Sequence, residues 1–376
     1  MSKDLLDKYS STRIVAGPGS LAQLGALSKE LGAARVLVVS DRGVTSAGHT
    51  RRGLDSLESA GIAVDLYDGV EENPTTIHVS EGLERASAFR PDLLVGLGGG
   101  SAMDCAKGVN FVYSCGGSMA DYHGVGKATS ELLPMIGVPT TSGTGSETQS
   151  FALISDAATH EKMACGDKRA AFKAAILDPL TTVTQPVPVT AATGIDAISH
   201  AVESYVTRQR SDVSRKLSVE AWNLLSGNFQ KVIEFPEDVE ARAAMQLGAC
   251  LAGLAIEHSM LGAAHSAANP LTARYGVVHG VAVGLLLPVV VRFNSVACED
   301  DYRELCGASA AGSESLASRL EEFRSLSGLP GRLSDCKVNK EDIPLMSFEA
   351  AGQWTAQFNP REVTPVGFSE IYRAAY

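Results

Sequence analysis

Leu93-Leu-Val-Gly-Leu97, followed at once by Gly98-Gly-Gly-Ser101 and then by a helical segment over residues 102–113, decides the fold. A short apolar run reads as a buried strand, and the glycines after it let the chain turn back as a helix. The same alternation extends to both sides. Val36-Leu-Val-Val39, Ile62-Ala-Val-Asp-Leu66 and Met135-Ile-Gly-Val138 read as further buried strands. Helical periodicity runs over residues 21–31, 48–60 and 76–89 between them. Strands and helices in this order predict a parallel sheet wrapped by helices. Such sheets hold ligands beyond the carboxyl ends of their strands. Two polar glycine-bearing loops fall there, Gly98-Gly-Gly-Ser101 and Thr140-Thr-Ser-Gly-Thr-Gly-Ser-Glu147.

Glycines let the backbone approach a pyrophosphate, and the free amides of a helix start attract its charge. Gly96-x-Gly98-Gly-Gly lacks the third glycine of the Rossmann fingerprint, so a phosphate cradle and a plain tight turn both fit. Asp104 and Lys107, one turn into the helix, either touch a cofactor or stand as solvated charges. The hydroxyls and amides of the second loop suit phosphate, ribose or a nicotinamide amide. Asp41 ends the strand at residues 36–40. A carboxylate there accepts from an adenosine ribose and repels the extra phosphate of NADP; a helix N-cap accounts for it equally well.

The character changes after Asp178-Pro179. Gln185-Pro-Val-Pro-Val-Thr190 is a punctuated boundary, and beyond it helical spacing recurs over residues 194–207, 212–234, 237–257, 262–275, 279–293, 300–307, 312–326 and 347–358. The expected organisation is an α/β dinucleotide-binding domain, 1–185, and an all-helical metal-binding domain, 186–376. In the helical half, Gly194-Ile-Asp-Ala-Ile-Ser-His200-Ala-Val-Glu203 puts Asp196 and His200 on one helical face. Alone, such a pair is commonly structural. His265, among small residues in Leu261-Gly-Ala-Ala-His-Ser-Ala-Ala-Asn269, and His279, opening an apolar helix, turn the reading toward a metal. One carboxylate and three imidazoles suit Fe²⁺ or Zn²⁺ with a position open to a substrate oxygen. His258, seven residues before His265, reads as a sharer of its face: a further participant or a hydrogen-bonded rim residue. His49, His78, His123 and His160 have no partner pattern and read as surface.

A net charge of −11 argues against a nucleic-acid partner or a polybasic membrane patch. Seven cysteines without a CxxC pair read as reduced thiols. The start, Met-Ser-Lys-Asp-Leu-Leu-Asp-Lys, has no apolar core of an export signal. No apolar run reaches the roughly 18 residues of a membrane span; the stretch 281–291 is interrupted by Gly284 and Pro288. These features predict a cytoplasmic globular enzyme without a membrane association.

Gly98-Gly-Gly-Ser-Ala-Met-Asp-Cys-Ala-Lys107, Pro139-Thr-Thr-Ser-Gly-Thr-Gly-Ser-Glu147, Asp178-Pro179, Gly194-Ile-Asp-Ala-Ile-Ser-His-Ala-Val-Glu203 and His279-Gly-Val-Ala together resemble the iron-containing (group III) alcohol dehydrogenase family. The likeness runs from the strand ending at Asp41 to Asn359-Pro-Arg-Glu-Val-Thr. It implies the two-domain plan shared with dehydroquinate synthase, with the active site in the cleft between. It also implies Asp196, His200, His265 and His279 as metal ligands, Fe²⁺ most often and Zn²⁺ in some members. Gly98, Gly99, Gly100, Ser101, Asp104, Thr140, Thr141, Ser142 and Lys162 would line the cofactor, and Asp41 goes with NAD. Many members carry a second histidine four residues after the His265 position; here it is Asn269, which puts the proton route in question and leaves His258 as a substitute. Phe151, Ile256 and Phe358 would face an apolar substrate pocket. The expected reaction is oxidation of a small, uncharged alcohol, or reduction of an aldehyde, with NAD(H). The other reading is a metal- and NAD-dependent cyclase or lyase acting on a sugar phosphate, whose substrate needs more cations than Arg274 alone supplies to residues 194–204 and 261–280. Family habit implies a homodimer or a larger homo-oligomer.

Overall fold

A computed structural model describes residues 2–159, 161–307 and 312–376, so the expectation for His160 lies outside the described residues. The chain divides into two compact units. The first comprises residues 3–141 and 145–184; the second comprises 142–144 and 185–376, together with Ser2.

After the leading helix α1 (Ser2–Tyr9), the described residues of the first unit form nine strands: β1 (Arg13–Ala16), β2 (Arg35–Val39), β3 (Ala63–Tyr67), β4 (Leu93–Gly98), β5 (Gly124–Val125), β6 (Met135–Pro139), β7 (Phe151–Ser155), β8 (Lys162–Gly166) and β9 (Ala174–Leu177). Its helices are α2 (Leu24–Glu30), α3 (Arg42–Ser46), α4 (His49–Ser59), α5 (Thr76–Phe89) and α6 (Gly100–Cys115). Six strands form one parallel sheet in the order β1-β9-β6-β4-β2-β3. Alternation along the central strands explains why both faces are covered. Val36, Val38, Leu93, Val95 and Leu97 point into a core with Leu24 and Leu27 of α2 and Leu57 of α4. Leu37, Val39 and Leu94 point to the opposite core, with Val79 of α5 and Met103 and Val109 of α6. A parallel sheet buried on both sides is what βαβ crossovers produce. Each such leucine or valine contributes roughly 1.5–3 kcal/mol through burial. Gly96 has a packing reason: a Cβ there would stand 3.0 Å from Met103 Cα, so glycine lets α6 lie close on β4.

Several elements differ from the sequence reading. β1 and β9 extend the sheet beyond the four strands expected, and β5, β7 and β8 form a separate small sheet. α6 begins at Gly100 rather than residue 102. Lys107 and Asp104 are not solvated charges. Lys107 is fully buried, donating to the Ser146 carbonyl and hydroxyl at 2.8 Å and to the Phe151 carbonyl at 2.9 Å. Two histidines are also not simple surface residues. His49 is 3% exposed, with Nε2 2.7 Å from Thr184 Oγ1. His78 is half-buried and caps α5, its Nδ1 accepting from the Thr75 amide at 2.9 Å. His123 is exposed.

The second unit is helical: α7 (Val187–Val206), α8 (Asp212–Glu234), α9 (Val239–Glu257), α10 (Ala263–Tyr275), α11 (His279–Leu305), α12 (Ser313–Leu326), α13 (Ile343–Ala351) and α14 (Pro365–Ala374). α7 starts seven residues before the expected 194, because Pro188 falls in the first turn, where no intrahelical donor is needed. The expected segments 279–293 and 300–307 are one helix, bent where Cys298 takes φ −147° and ψ 34°. The expected helix over 347–358 is instead the end of α13 followed by a 3₁₀ turn at Trp354–Phe358. α9 and α11 are long and apolar enough to cross a membrane by composition, but 67% and 61% of those stretches are buried inside the unit. They serve as core helices around α7, of which residues 194–206 are buried throughout.

Candidate metal centre and nucleotide edge

α7 carries Asp196, His200 and Glu203 at i, i+4 and i+7, a single face of about two turns. α10 brings His265 and the first residue of α11 brings His279. The Asp196 Oδ1 atom stands 3.4 Å from His200 Nε2, 3.6 Å from His265 Nε2 and 3.7 Å from His279 Nε2. The ligand atoms of Asp196, His265 and His279 all lie within 4.8 Å of one another. The His200 and His265 rings stack with centroids 5.0 Å apart, and those of His265 and His279 lie 5.4 Å apart. The structure thus gathers all four expected ligands.

The spacing fits a cation. Atoms about 2.1 Å from one ion at tetrahedral angles stand about 3.4 Å apart, longer than a hydrogen bond. Asp196 Oδ1 and His265 Nε2 are buried without a hydrogen-bond partner, although the groups around them are polar. Buried atoms of this kind are costly unless something satisfies them. A divalent ion would satisfy both at once.

Glu203, to which the sequence assigns no role, orders the centre. Its Oε2 accepts from His265 Nδ1 at 2.6 Å and from the Gly262 amide at 3.0 Å; Oε1 accepts from the Ala264 amide at 2.8 Å. With Nδ1 donating, His265 Nε2 is the ring atom left facing Asp196, and a cation there would take the place of its proton. Asn359 Oδ1 accepts from the Ala263 amide at 3.2 Å, so three successive amides at the start of α10 are held by side chains. A Cβ on Gly262 would meet Asn359 Oδ1 at 2.9 Å, and glycine permits the clamp. The i+7 spacing from Asp196 was the available sequence signal for Glu203.

Electrostatics follow the same arrangement. Burial favours a neutral Asp196, but His200, His265 and His279 hold its carboxyl well below the usual carboxylate range. Burial also opposes charge on His265; the Asp196 and Glu203 carboxylates outweigh it and raise the imidazole to about 9. His200 is lowered, chiefly by burial. We expect Glu203→Gln to weaken Zn²⁺ binding about 10- to 100-fold, because a carboxamide cannot accept from both the imidazole and the amides. Competition against a chromophoric chelator measures it. Unchanged affinity would show that Glu203 does not orient His265.

His258 lies on a different element from His265. It caps α9, which ends at Glu257, whereas His265 lies on the next helix, so the two share no helical face. Asn269 stands on α10 one turn after His265 and donates from Nδ2 to Gln353 Oε1 at 2.9 Å. Ile256 lies in the last turn of α9, half-buried; Phe358 ends the 3₁₀ turn and meets Trp354 edge-on, ring centroids 6.2 Å apart. Phe151 opens β7 in the sheet unit, its ring lying over Gly166.

In the sheet unit, β3 and β4 lie on opposite sides of β2, so the strand order reverses at β2/β4. That is where open sheets of this type bind ligands. Asp41 follows β2, Gly98–Ser101 closes β4 and opens α6, and Thr140 and Thr141 follow β6. The Thr140 amide donates to the Gly98 carbonyl at 2.9 Å, and a Cβ on Gly99 would lie 3.4 Å from Thr141 Cγ2. These residues therefore share one edge. No side chain caps α6, which leaves its first amides open to an anion. Asp41 caps α3 through Oδ1, accepting from the Val44 amide at 2.9 Å. Asp104 is buried behind the edge, its oxygens accepting from Ser146 Oγ at 2.6 Å and the Leu153 amide at 3.1 Å; burial lifts its carboxyl despite Lys107. Lys162 begins β8, exposed and near enough to act on Asp104. Ser142 is buried and groups with the helical unit.

A set of metal-ligand side chains on helices and an uncapped helix start at a sheet switch point are what a protein using a metal and a nucleotide needs. The chain belongs to the iron-containing alcohol dehydrogenase family: residues 11–179 match "Iron-containing alcohol dehydrogenase" and 190–376 match the C-terminal part of the Fe-containing alcohol dehydrogenase family. It is an NAD-dependent oxidoreductase of the iron type. It is 32% identical over 370 residues to the NAD-dependent methanol dehydrogenase of Bacillus methanolicus, covering 96% of this chain and 97% of that one. It is also 32% identical over 371 residues to the 1,3-propanediol dehydrogenase of Citrobacter freundii, covering 96% of each. A crystal structure of 1,3-propanediol oxidoreductase superposes with a TM-score of 0.93 at 31% identity, over 97% of this chain and 98% of that one. The cyclase reading is not favoured by these relatives.

Proposed function

We propose that this chain interconverts a small, uncharged alcohol with its aldehyde or ketone, using NAD(H). The observation carrying this reading is the convergence of three imidazoles on Asp196 Oδ1, a buried oxygen without a hydrogen-bond partner. Asp196, His200, His265 and His279 would hold the ion. When bound, a divalent iron or zinc ion supplies Lewis acidity toward a substrate oxygen, and nicotinamide supplies the hydride carrier. Glu203 keeps His265 in the tautomer that can bind, and the buried frame of α7 and α10 fixes the ligands before substrate arrives. At the nucleotide edge, the uncapped start of α6 offers amides to a pyrophosphate, while the free oxygen of Asp41 supports a preference for NAD over NADP. Phe151, Ile256 and Phe358 would give an apolar surface to the substrate, and Asn269 or His258 a polar contact.

The names of the relatives, methanol and propanediol dehydrogenase, support a short alcohol. The test follows NADH absorbance over methanol to hexanol, propane-1,3-diol and the matching aldehydes, with iron- or zinc-loaded protein. Turnover should stop when a chelator removes the ion and return on reloading. Steady oxidation by ion-free protein, or turnover without net change in NADH, would sink the reading. The enzyme is further proposed to act in the cytoplasm as a homo-oligomer. Its seven free cysteines support a reducing compartment. Cell fractionation and light scattering decide these two points.

A further inference from the structure

The helices that carry the candidate metal ligands, α7, α10 and α11, are joined a second time by one short segment near the carboxyl end of the chain. The Phe358 carbonyl accepts from the amide of Arg208, two residues beyond α7, at 2.8 Å. Asn359 Oδ1 accepts from the amide of Ala263, the first residue of α10, at 3.2 Å. The same carboxamide forms a reciprocal pair with Asn294 of α11. Asn359 Nδ2 donates to Asn294 Oδ1 at 2.7 Å, and Asn294 Nδ2 donates to Asn359 Oδ1 at 3.0 Å. The second Nδ2 proton of Asn359 goes to the Arg361 carbonyl at 2.6 Å. Arg361 in turn grips the preceding residue of α11. Its Nη1 donates to the Phe293 carbonyl at 2.7 Å, and its guanidinium stands 3.7 Å from the centre of the Phe293 ring. Pro360, between the two, has its φ fixed by its own ring.

Asn359 and Asn294 are 1% and 2% exposed. A carboxamide offers two protons and two acceptor positions, and Asn359 uses all four. A buried network with every member satisfied specifies one arrangement of its members. Apolar side chains of the same shape at both positions would pack there at little cost to stability. Holding the helices together therefore does not require the polar pair; fixing where they stand does. We propose that Asn294 and Asn359 are positioning residues for the metal centre. They set the start of α10 against α11, and with it the place of His265 relative to His279. Ala263 lies two residues before His265, so a shift of its amide carries the imidazole along. Both asparagines act through the backbone of α10 and not on the ion. The inference rests on the assignment of Asp196, His200, His265 and His279 to a metal.

Cobalt(II) is the probe, because its visible absorption bands report the number and geometry of its ligands. The full chain is loaded with cobalt, its spectrum recorded, and its affinity measured by competition with a chelator. Asn294→Leu should change the bands and weaken binding about 10-fold, the loss expected when a group supporting a metal ligand is removed. Placed on top of Asn359→Leu, it should add nothing, since it works through Asn359. Leu225→Ala in α8, a fully buried position against Gly248, is the control: it should lower Tm and leave the cobalt bands as they are. Arg361→Ala, at a half-buried position, should shift the bands in the same direction as Asn294→Leu, and it decides the matter if that variant does not fold. Wild-type bands and affinity in the folded variants, whatever happens to Tm, would overturn the proposal and leave the metal assignment standing. A wild-type chain that takes up no cobalt would remove the assignment, and the proposal with it.

Discussion

Replacing His265 with alanine removes the metal and the activity together while the helical unit stays folded. The imidazole supplies one of the three nitrogens that converge on Asp196 Oδ1, and its loss opens the centre on the α10 side. Glu203 keeps the Gly262 and Ala264 amides as donors, so its buried carboxylate retains partners in the variant. The ion provides several kcal/mol of charge stabilisation in reactions of this kind, and each 1.36 kcal/mol is tenfold in rate. Turnover should therefore fall about 10³-fold or more. Elemental analysis should find less than a tenth of the wild-type metal, with the circular dichroism spectrum unchanged. A variant that lacks metal and still oxidises alcohol at the wild-type rate would remove the basis of the assignment.

The second large effect comes from a single methyl group. A Cβ on Gly280 would lie 2.0 Å from the Ala192 carbonyl oxygen of α7, so α11 can approach α7 only with glycine there. Gly284, one turn on, faces Ile195 in the same way, its Cβ 2.9 Å from Ile195 Cγ2. Gly280→Ala must push the helices apart by more than an ångström. Overpacking of this kind costs about 1–3 kcal/mol or more. It also moves His279, the adjacent residue, away from Asp196, and a 1 Å misplacement in a reacting site costs about 10²-fold. Tm should drop by several degrees, with a parallel loss of bound metal. Gly227→Ala in α8 is the control, since a Cβ there meets nothing within 4 Å. That change should stabilise by about 0.5–1 kcal/mol. If both variants melt together, the close crossing of α7 and α11 is not what places His279.

The parts legible in the sequence were those with strong local periodicity. The helices at Thr76–Phe89 and Asp212–Glu234 have the bounds their spacing indicated. β4 and β6 were evident as apolar runs followed by glycine or hydroxyl-rich loops. β1 and β9 were not, because Arg13-Ile-Val-Ala and Ala174-Ala-Ile-Leu are only four residues each and gain their identity by pairing across the sheet. The start of α7 was missed because its prolines read as a boundary, whereas Pro188 is tolerated in a first turn.

At the site, i,i+4 spacing shows that Asp196 and His200 share a face. Nothing local shows that His265 and His279 face them; that depends on two later helices packing against α7, and family resemblance supplied it. Glu203 was passed over because an acidic residue in a helix has many ordinary uses. Only burial and its three donors single it out. Lys107 misled for the converse reason. A lysine is rarely buried unless acceptors converge on it, and those acceptors come from residues 146 and 151, far along the chain.

The clamp on the start of α10 has a consequence for how the protein acquires its metal. Gly262, Ala263, Ala264 and the His265 ring are all tied down by Glu203 and Asn359. Those ties do not involve the atoms that would hold the ion, so removing the metal should leave the start of α10 in place. A socket of that kind does little to refuse a competitor of similar size and charge. The cation the enzyme carries should then depend on supply as well as on ligand type and geometry.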